Sequence, residues 1–430
     1  MHTARAQRKR IFSWIVLILL IIFFSRNVTF LFELNKCAIV LSCIMIVLLI
    51  GTVFYINGID MMLLFLFCSD YILVPIMIQY WTGSSYGLLQ QEKVYLYVPE
   101  ILTFAFIYNA VMVALNLIFK FHDKESKLLQ AQDCELTNVS IQINNLIAMV
   151  FTIVAFPRLG FDNSSTRFDM LLPGHAWNQL AIVALLFNLP YLKTKRSVQL
   201  AYLFVVSWFL IDGERADITG LILGLLVFYL MNKAQQKNRI SLKQYFLSFL
   251  FLLVFVCLLN VIVSLRQSNQ TMRFSDLIRG VLITPTTADV GYLYNVSIDF
   301  FKKFGCLNGK IFISNLQSII PLADPVGFDK IIISANYANP GGEPLFAEPI
   351  MDFGMKGIFF RPILDFLIFY FFVSRKNKFF KKEFLVILCL IPRIVWYGRG
   401  YAYTSVLFFV PFLFLVDYCA NKFSFKFKQS

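Results

Sequence analysis

Apolar runs of roughly 16–26 residues recur along this chain, close to the ~20 residues an α-helix needs to cross a bilayer. They fall near 11–32, 37–56, 59–80, 94–119, 139–156, 176–192, 197–212, 216–231, 245–265, 355–373, 383–398 and 402–420. Hydrocarbon offers no partner to backbone N–H and C=O groups, so a crossing segment must satisfy them internally, and runs of this length do so as helices. The expectation is an all-α polytopic integral membrane protein of about 12 transmembrane helices, a single membrane domain over 1–430. Composition agrees. Hydrophobic residues make up 58% of the 430, charged residues 15%, and Phe alone contributes 48. Mean hydropathy is +0.70. Lipid accommodates that much apolar surface, and a soluble core does not. The basic N-terminus followed by an apolar run resembles a signal peptide, but no small-residue cleavage site follows Phe24, so it reads as a retained first helix.

An even number of crossings puts both termini on one side, and the positive-inside rule tests the map. The expected inner segments carry Arg5, Arg8, Lys9 and Arg10; Lys120, Lys124 and Lys127; Lys193, Lys195 and Arg196; Lys233, Lys237, Arg239 and Lys243; Arg375, Lys376, Lys378, Lys381 and Lys382; and Lys422, Lys426 and Lys428. These are 22 of the 39 Lys and Arg residues. The net charge of +14 is thus mainly a topology signal for a cytoplasmic (inner) membrane protein with both termini cytoplasmic. It needs no nucleic acid to explain it.

The remaining basic residues are mostly arginine, including Arg158, Arg167, Arg215, Arg266, Arg273, Arg279, Arg361, Arg393 and Arg399. Arginine grips phosphate and carboxylate with a planar fork, whereas lysine is a hydrated point charge. The pattern suggests an outward-facing site for a phosphorylated anion, with compositional drift as the plain alternative. Residues 266–354 form a long extracytoplasmic loop of 89 residues between the ninth and tenth expected helices. Its apolar patches at 311–320 and 331–333 are expected to lie against the outer membrane surface. Its end carries Glu343, Glu348 and Asp352, carboxylates able to supply a general base. Within the expected helices, Arg361 and Asp365 stand four apart and can pair, a role that needs no function beyond neutralising buried charge. Asp70 and Glu100 have no obvious local partner.

No nucleotide-binding or metallopeptidase motif is present. Of His2, His122 and His175, only His175 falls on the expected outer face, which leaves no multi-histidine metal site there. Neither a cofactor nor a metal is expected. The eight cysteines lack C-x-x-C spacing and read as buried small hydrophobes.

The helix count, the long loop before the last three helices and the arginine-rich outer loops resemble the Wzy-type oligosaccharide repeat-unit polymerases of O-antigen, capsule and exopolysaccharide assembly. Gly213-Glu214-Arg215 resembles the family's Gly-x-Arg helix start. Arg167 to Gly174 resembles its pre-helix loop, and the stretch from Glu348 through Phe353-Gly354 to Gly357 resembles its re-entry into the membrane. One pattern of some members is missing: eleven residues after Arg158, Arg167, Arg266 and Arg273 stand Asp169, Asn178, Leu277 and Thr284 rather than glycine. The catalytic assignment of that subgroup therefore does not carry over. The resemblance implies a GT-C-like glycosyltransferase that joins polyprenyl-diphosphate-linked oligosaccharides, alongside a flippase and a chain-length regulator. On that reading Arg158, Arg167, Arg215, Arg266, Arg273 and Arg399 bind the diphosphate. His175, Glu348 and Asp352 serve as acid, base or sugar contacts. A glycan ligase of similar architecture and a non-enzymatic flippase or exporter are the rival readings.

Overall fold

The structure is a computed structural model that describes residues 2–82, 97–131, 133, 135–157, 177–212, 215–237, 241–266, 285–320, 323, 325–339 and 342–429. Among these residues every regular element is helical. The chain runs α1 (His2–Phe32), α2 (Lys36–Asn57), α3 (Met61–Tyr71), α4 (Leu73–Thr82), α5 (Val98–Phe119), α6 (Phe121–Leu129), α7 (Asn138–Ala155), α8 (Trp177–Phe187), α9 (Arg196–Asp212), α10 (Arg215–Lys237) and α11 (Leu242–Arg266). It continues with α12 (Pro285–Phe304), α13 (Lys310–Gln317), α14 (Phe328–Ser334), α15 (Ala347–Phe353), α16 (Gly357–Ser374), α17 (Lys378–Tyr397) and α18 (Gly400–Thr404). A π-turn at Ser405–Phe409 then leads into α19 (Val410–Gln429).

Nine helices among the described residues are long and apolar enough to cross a membrane. Helices α8, α9 and α17 occupy the other three expected positions. Helix α8 has 11 residues and α9 has 17. Helix α17 begins KFFKKE, so charge interrupts its apolar run. Exposed Phe23, Val47, Leu203 and Phe249 stud the outside of the bundle, a surface that only an apolar surrounding tolerates at this density. The chain is a multi-pass membrane protein.

The lysine-bearing segments meet at one end. Arg10 pairs with Asp123 at 2.9 Å, Gln235 donates to the Ser126 carbonyl at 2.9 Å, and Lys381 reaches the Ala131 carbonyl at 2.8 Å and Asp133 at 3.0 Å. Lys382 donates to the carbonyls of Leu186 and Phe187 at 3.1 and 2.8 Å. Those carbonyls belong to the last turn of α8, where a cation complements the helix dipole.

Helix α10 packs on α17 without intervening side chains. A Cβ on Gly220 would stand 2.2 Å from the Cys389 carbonyl oxygen, and one on Gly224 would stand 2.6 Å from the Cys389 Cα. Small residues four apart let two backbones meet in this way.

At the end opposite the lysines, α12 to α15 form a cap. Asp299 of α12 accepts from Tyr97 at 2.9 Å and Tyr337 at 2.6 Å. Glu100, without a partner in sequence, pairs with Lys302 at 2.8 Å. Asp70 likewise finds one in the fold, accepting from Asn109 at 2.8 Å. Ile313, Ile320 and Ile333 point outward from the cap. Cys68 and Cys389 are buried as expected, but Cys37, Cys306 and Cys419 are exposed, so the cysteines do not all behave as core residues.

Candidate functional site

The cap is anchored by a corner between α15 and α16. Gly354 turns the chain at φ +57°, and a Cβ on Gly357 would lie 2.1 Å from the Pro349 carbonyl oxygen. Only glycine suits either position: the first needs a left-handed backbone, the second a bare Cα. The corner folds α15 back on α16 and brings Glu348 against Arg361, thirteen residues later, in a buried ion pair.

Around that pair lies a network of two arginines and three carboxylates. Arg361 Nε donates to Asp365 Oδ1 at 3.0 Å, the pairing expected from the i,i+4 spacing. Arg399 closes on the same carboxylate with two bonds, Nε to Oδ1 at 3.1 Å and Nη2 to Oδ2 at 2.9 Å. It also approaches Glu348 Oε2 at 3.5 Å and donates to the Leu345 carbonyl at 3.2 Å. Tyr108 donates to Asp365 at 2.6 Å, and Tyr403 accepts from Arg361 at 3.5 Å. Arg361 and Arg399 are 1% and 3% exposed. Two guanidinium groups removed from solvent are sustained because each faces carboxylates with matching geometry.

Helix α13 forms the roof. Both carboxylate oxygens of Asp352 accept backbone N–H groups at the start of α13, from Ile311 at 3.1 Å and Phe312 at 2.8 Å. Asp352 is therefore occupied as a helix cap. The helix it holds presents Asn315, whose amide donates to Glu343 at 2.9 Å and to Glu348 at 3.0 Å. Burial first, and then the neighbouring Glu348 charge, push Glu343 up to about 8. Gly398, at φ +94°, leaves the space that Glu343 fills, since a Cβ there would sit 2.9 Å from Glu343 Oε2. Glu343 thus has a buried carboxyl, shifted toward neutral pH, beside two guanidinium groups.

An apolar groove of about 480 Å³ ends on this network. Asp365, Arg399 and Tyr403 stand among its lining residues with Phe312, Leu364 and Val406. Its further lining residues Leu367, Phe371 and Leu407 are exposed, so the groove opens on the apolar flank of the bundle.

A second buried set joins α8, α10 and α17. Asp217 accepts from Asn178 at 2.5 Å and Gln179 at 2.7 Å and pairs with Arg393 at 2.9 Å. Arg215 opens α10 two residues earlier.

Of the residues singled out in the sequence, Glu348 and Arg399 meet in the first network, and Asp352 supports it. Arg215 and Arg266 lie in α10 and α11, their side chains outside the description. Arg158, Arg167, His175 and Arg273 lie outside the described residues. From the sequence alone, Arg361 and Asp365 have only a neutralising role and Glu343 is one of several loop carboxylates. The glycines at 354 and 398, residues able to take a left-handed backbone, are the signal of a tight approach that the sequence carries. Comparison with protein-family models, curated proteins and solved structures finds no match.

Proposed function

We propose that the chain is a Wzy-like polymerase of polyprenyl-diphosphate-linked oligosaccharide repeat units, with a GT-C-like arrangement of 12 crossings. On this reading it lies in the cytoplasmic membrane, with the lysine-rich end and both termini in the cytoplasm and the cap outside. The observation that carries the reading is the apolar groove ending on buried arginines. A polyprenyl diphosphate has the same construction: a long hydrocarbon tail and a compact, multiply charged head.

The tail lies in the groove, and the diphosphate meets Arg399 and Arg361. Phosphate oxygens replace the carboxylates of Asp365 and Glu348, since both are bidentate acceptors for a guanidinium. Fixed donors aimed at the charge that develops on a leaving diphosphate lower the barrier to its departure. Arg158, Arg167, Arg215, Arg266 and Arg273 remain proposed contributors to the diphosphate or to the neighbouring lipid head.

Glu343 is the proposed proton acceptor, ahead of His175, Glu348 and Asp352. Glu348 holds Arg361 and Asp352 holds α13, whereas Glu343 titrates near working pH, where a general base is most effective. The acceptor hydroxyl oxygen attacks the anomeric carbon and its proton passes to the ionised form of Glu343. The bond from that carbon to the diphosphate oxygen breaks, and the electron pair leaves with the diphosphate.

The test is a gel of surface and lipid-linked glycan from a strain lacking the gene, complemented with wild type, Glu343→Gln or Arg399→Lys at matched membrane abundance. The expected result is a ladder with wild type and single repeat units with either variant. An unchanged ladder in the deletion strain overturns the reading. Long chains left on the lipid carrier would indicate a ligase, and units trapped on the cytoplasmic side a flippase.

A further inference from the structure

Far from the arginine network, at the lysine-rich end, three chemistry-bearing side chains converge that the polymerase reading does not use. The turn after α2 ends in Asp60, whose Oδ1 accepts from the Leu63 N–H at 2.7 Å and so caps α3. Helix α6 begins after a left-handed Lys120 at φ +54°. That elbow swings His122 and Glu125 of α6 toward the α2–α3 turn. Glu125 Oε1 accepts from the Met61 N–H at 3.0 Å. One oxygen from Asp60, one from Glu125 and one ring nitrogen of His122 lie within 4.8 Å of one another.

The second carboxylate oxygen of Glu125 is what makes this more than a polar turn. Glu125 is fully buried, and its Oε2 has no hydrogen-bond partner. It stands 3.8 Å from His122 Nδ1, within ion-pair range but too long for a hydrogen bond, and Nδ1 also lacks a hydrogen-bond partner. Buried polar atoms are rarely left without a hydrogen bond, because each forfeits its hydration for little return. Asp60, also fully buried, places a second carboxylate beside the first. Two adjoining buried carboxylates and an imidazole nitrogen together make a donor set for a cation.

We propose that Asp60, His122 and Glu125 bind a divalent transition-metal ion, Zn²⁺ or Mn²⁺, that clasps the α2–α3 turn to α6. The mixed oxygen and nitrogen donor set excludes a soft thiolate metal and disfavours Mg²⁺ and Ca²⁺, which take oxygen ligands. Ligands at ~2.0–2.2 Å from one ion stand closer to each other than 4.8 Å, so the three groups close slightly on the metal. The His122 side chain is 39% exposed, which gives the ion an entry path and water to complete its shell. The site departs from the metal-free expectation, which weighed only the outer-face histidine.

The test uses the full-length protein in detergent, stripped with chelator and dialysed against Zn²⁺ or Mn²⁺. The expected result is about one ion per chain for at least one of the two metals, read by elemental analysis, with a raised melting temperature. His122→Ala and Glu125→Gln are each expected to weaken binding at least tenfold, since even outer-shell partners of a metal typically matter by about 10–100-fold. No stoichiometric binding, or binding undiminished in both variants, overturns the proposal. Should the variants not fold, wild-type protein is treated with an imidazole acylating reagent with and without the metal. Protection of His122 but not His2 supports the site, and equal modification of His122 in both conditions overturns it. None of these readouts depends on glycan polymerisation.

Discussion

Glu343 couples stability to pH in a direction fixed by its surroundings. Its carboxyl is pushed from an ordinary 4.5 up to about 8, so between those values the folded chain holds a proton that the unfolded chain has lost. Stability therefore falls as pH rises across that window and levels off above it. The melting temperature in detergent is expected to drop between about pH 5 and 9, and Glu343→Gln to flatten that drop. A slope unchanged in the variant would assign the titration elsewhere. Asp365 makes a complementary case. It is bound by Arg361, Arg399 and Tyr108 together, so Asp365→Asn leaves two buried guanidinium groups facing one fewer charge. Stripping a partner from a buried pair costs about 3–5 kcal/mol, and a melting loss of several degrees is expected. The Arg361–Asp365 contact itself was legible from the four-residue spacing. Its sharing with Arg399 was not, because Arg399 arrives from beyond the next helix.

Two helix-level arrangements decide where these charges stand. The α10–α17 contact is set by Gly220 and Gly224 against the Cys389 backbone. Gly224→Val is expected to separate the helices, disturb the Asp217–Arg393 pair and lower the folded yield in membranes sharply. Gly51→Val, at a position where a Cβ meets nothing within 4 Å, is the matched control and is expected to behave as wild type. The second arrangement is the α13 roof. Asp352→Ala removes the carboxylate that two N–H groups of α13 share, and loss of a cap costs about 0.5–2 kcal/mol. Asn315 would then lose its fixed position over Glu343 and Glu348. Protease susceptibility of the 305–320 segment is expected to rise while the rest of the chain stays protected. The sequence marked Asp352 as chemically interesting, and the fold gives it this capping task. A carboxylate near a helix start reads alike in both roles until the helix it faces is known.

At the scale of the molecule, four of the six basic segments gather at one end through Arg10–Asp123, Gln235–Ser126 and Lys381–Asp133. If that end is cytoplasmic, a membrane-impermeant thiol reagent applied to intact cells labels a cysteine placed at Ile320 of the cap, in a background without native cysteines, and leaves one at Lys378 unlabelled. The reverse pattern would invert the proposed orientation. What the sequence determined by itself is the membrane-embedded helical class and the grouping of segments into two sets by charge. Both are sums over neighbouring residues: transfer energy accumulates along a single run, and lysine placement is read loop by loop. Only the tertiary structure decided that Glu348, Arg361, Asp365 and Arg399 share one buried network, that Glu343 is buried beside it, and that His122 meets Asp60 across the other end. Those meetings join residues up to tens of positions apart, from several helices and the turns between them. They depend on the angle of a glycine corner and on how closely two backbones approach, and neither quantity is a property of any local stretch of chain.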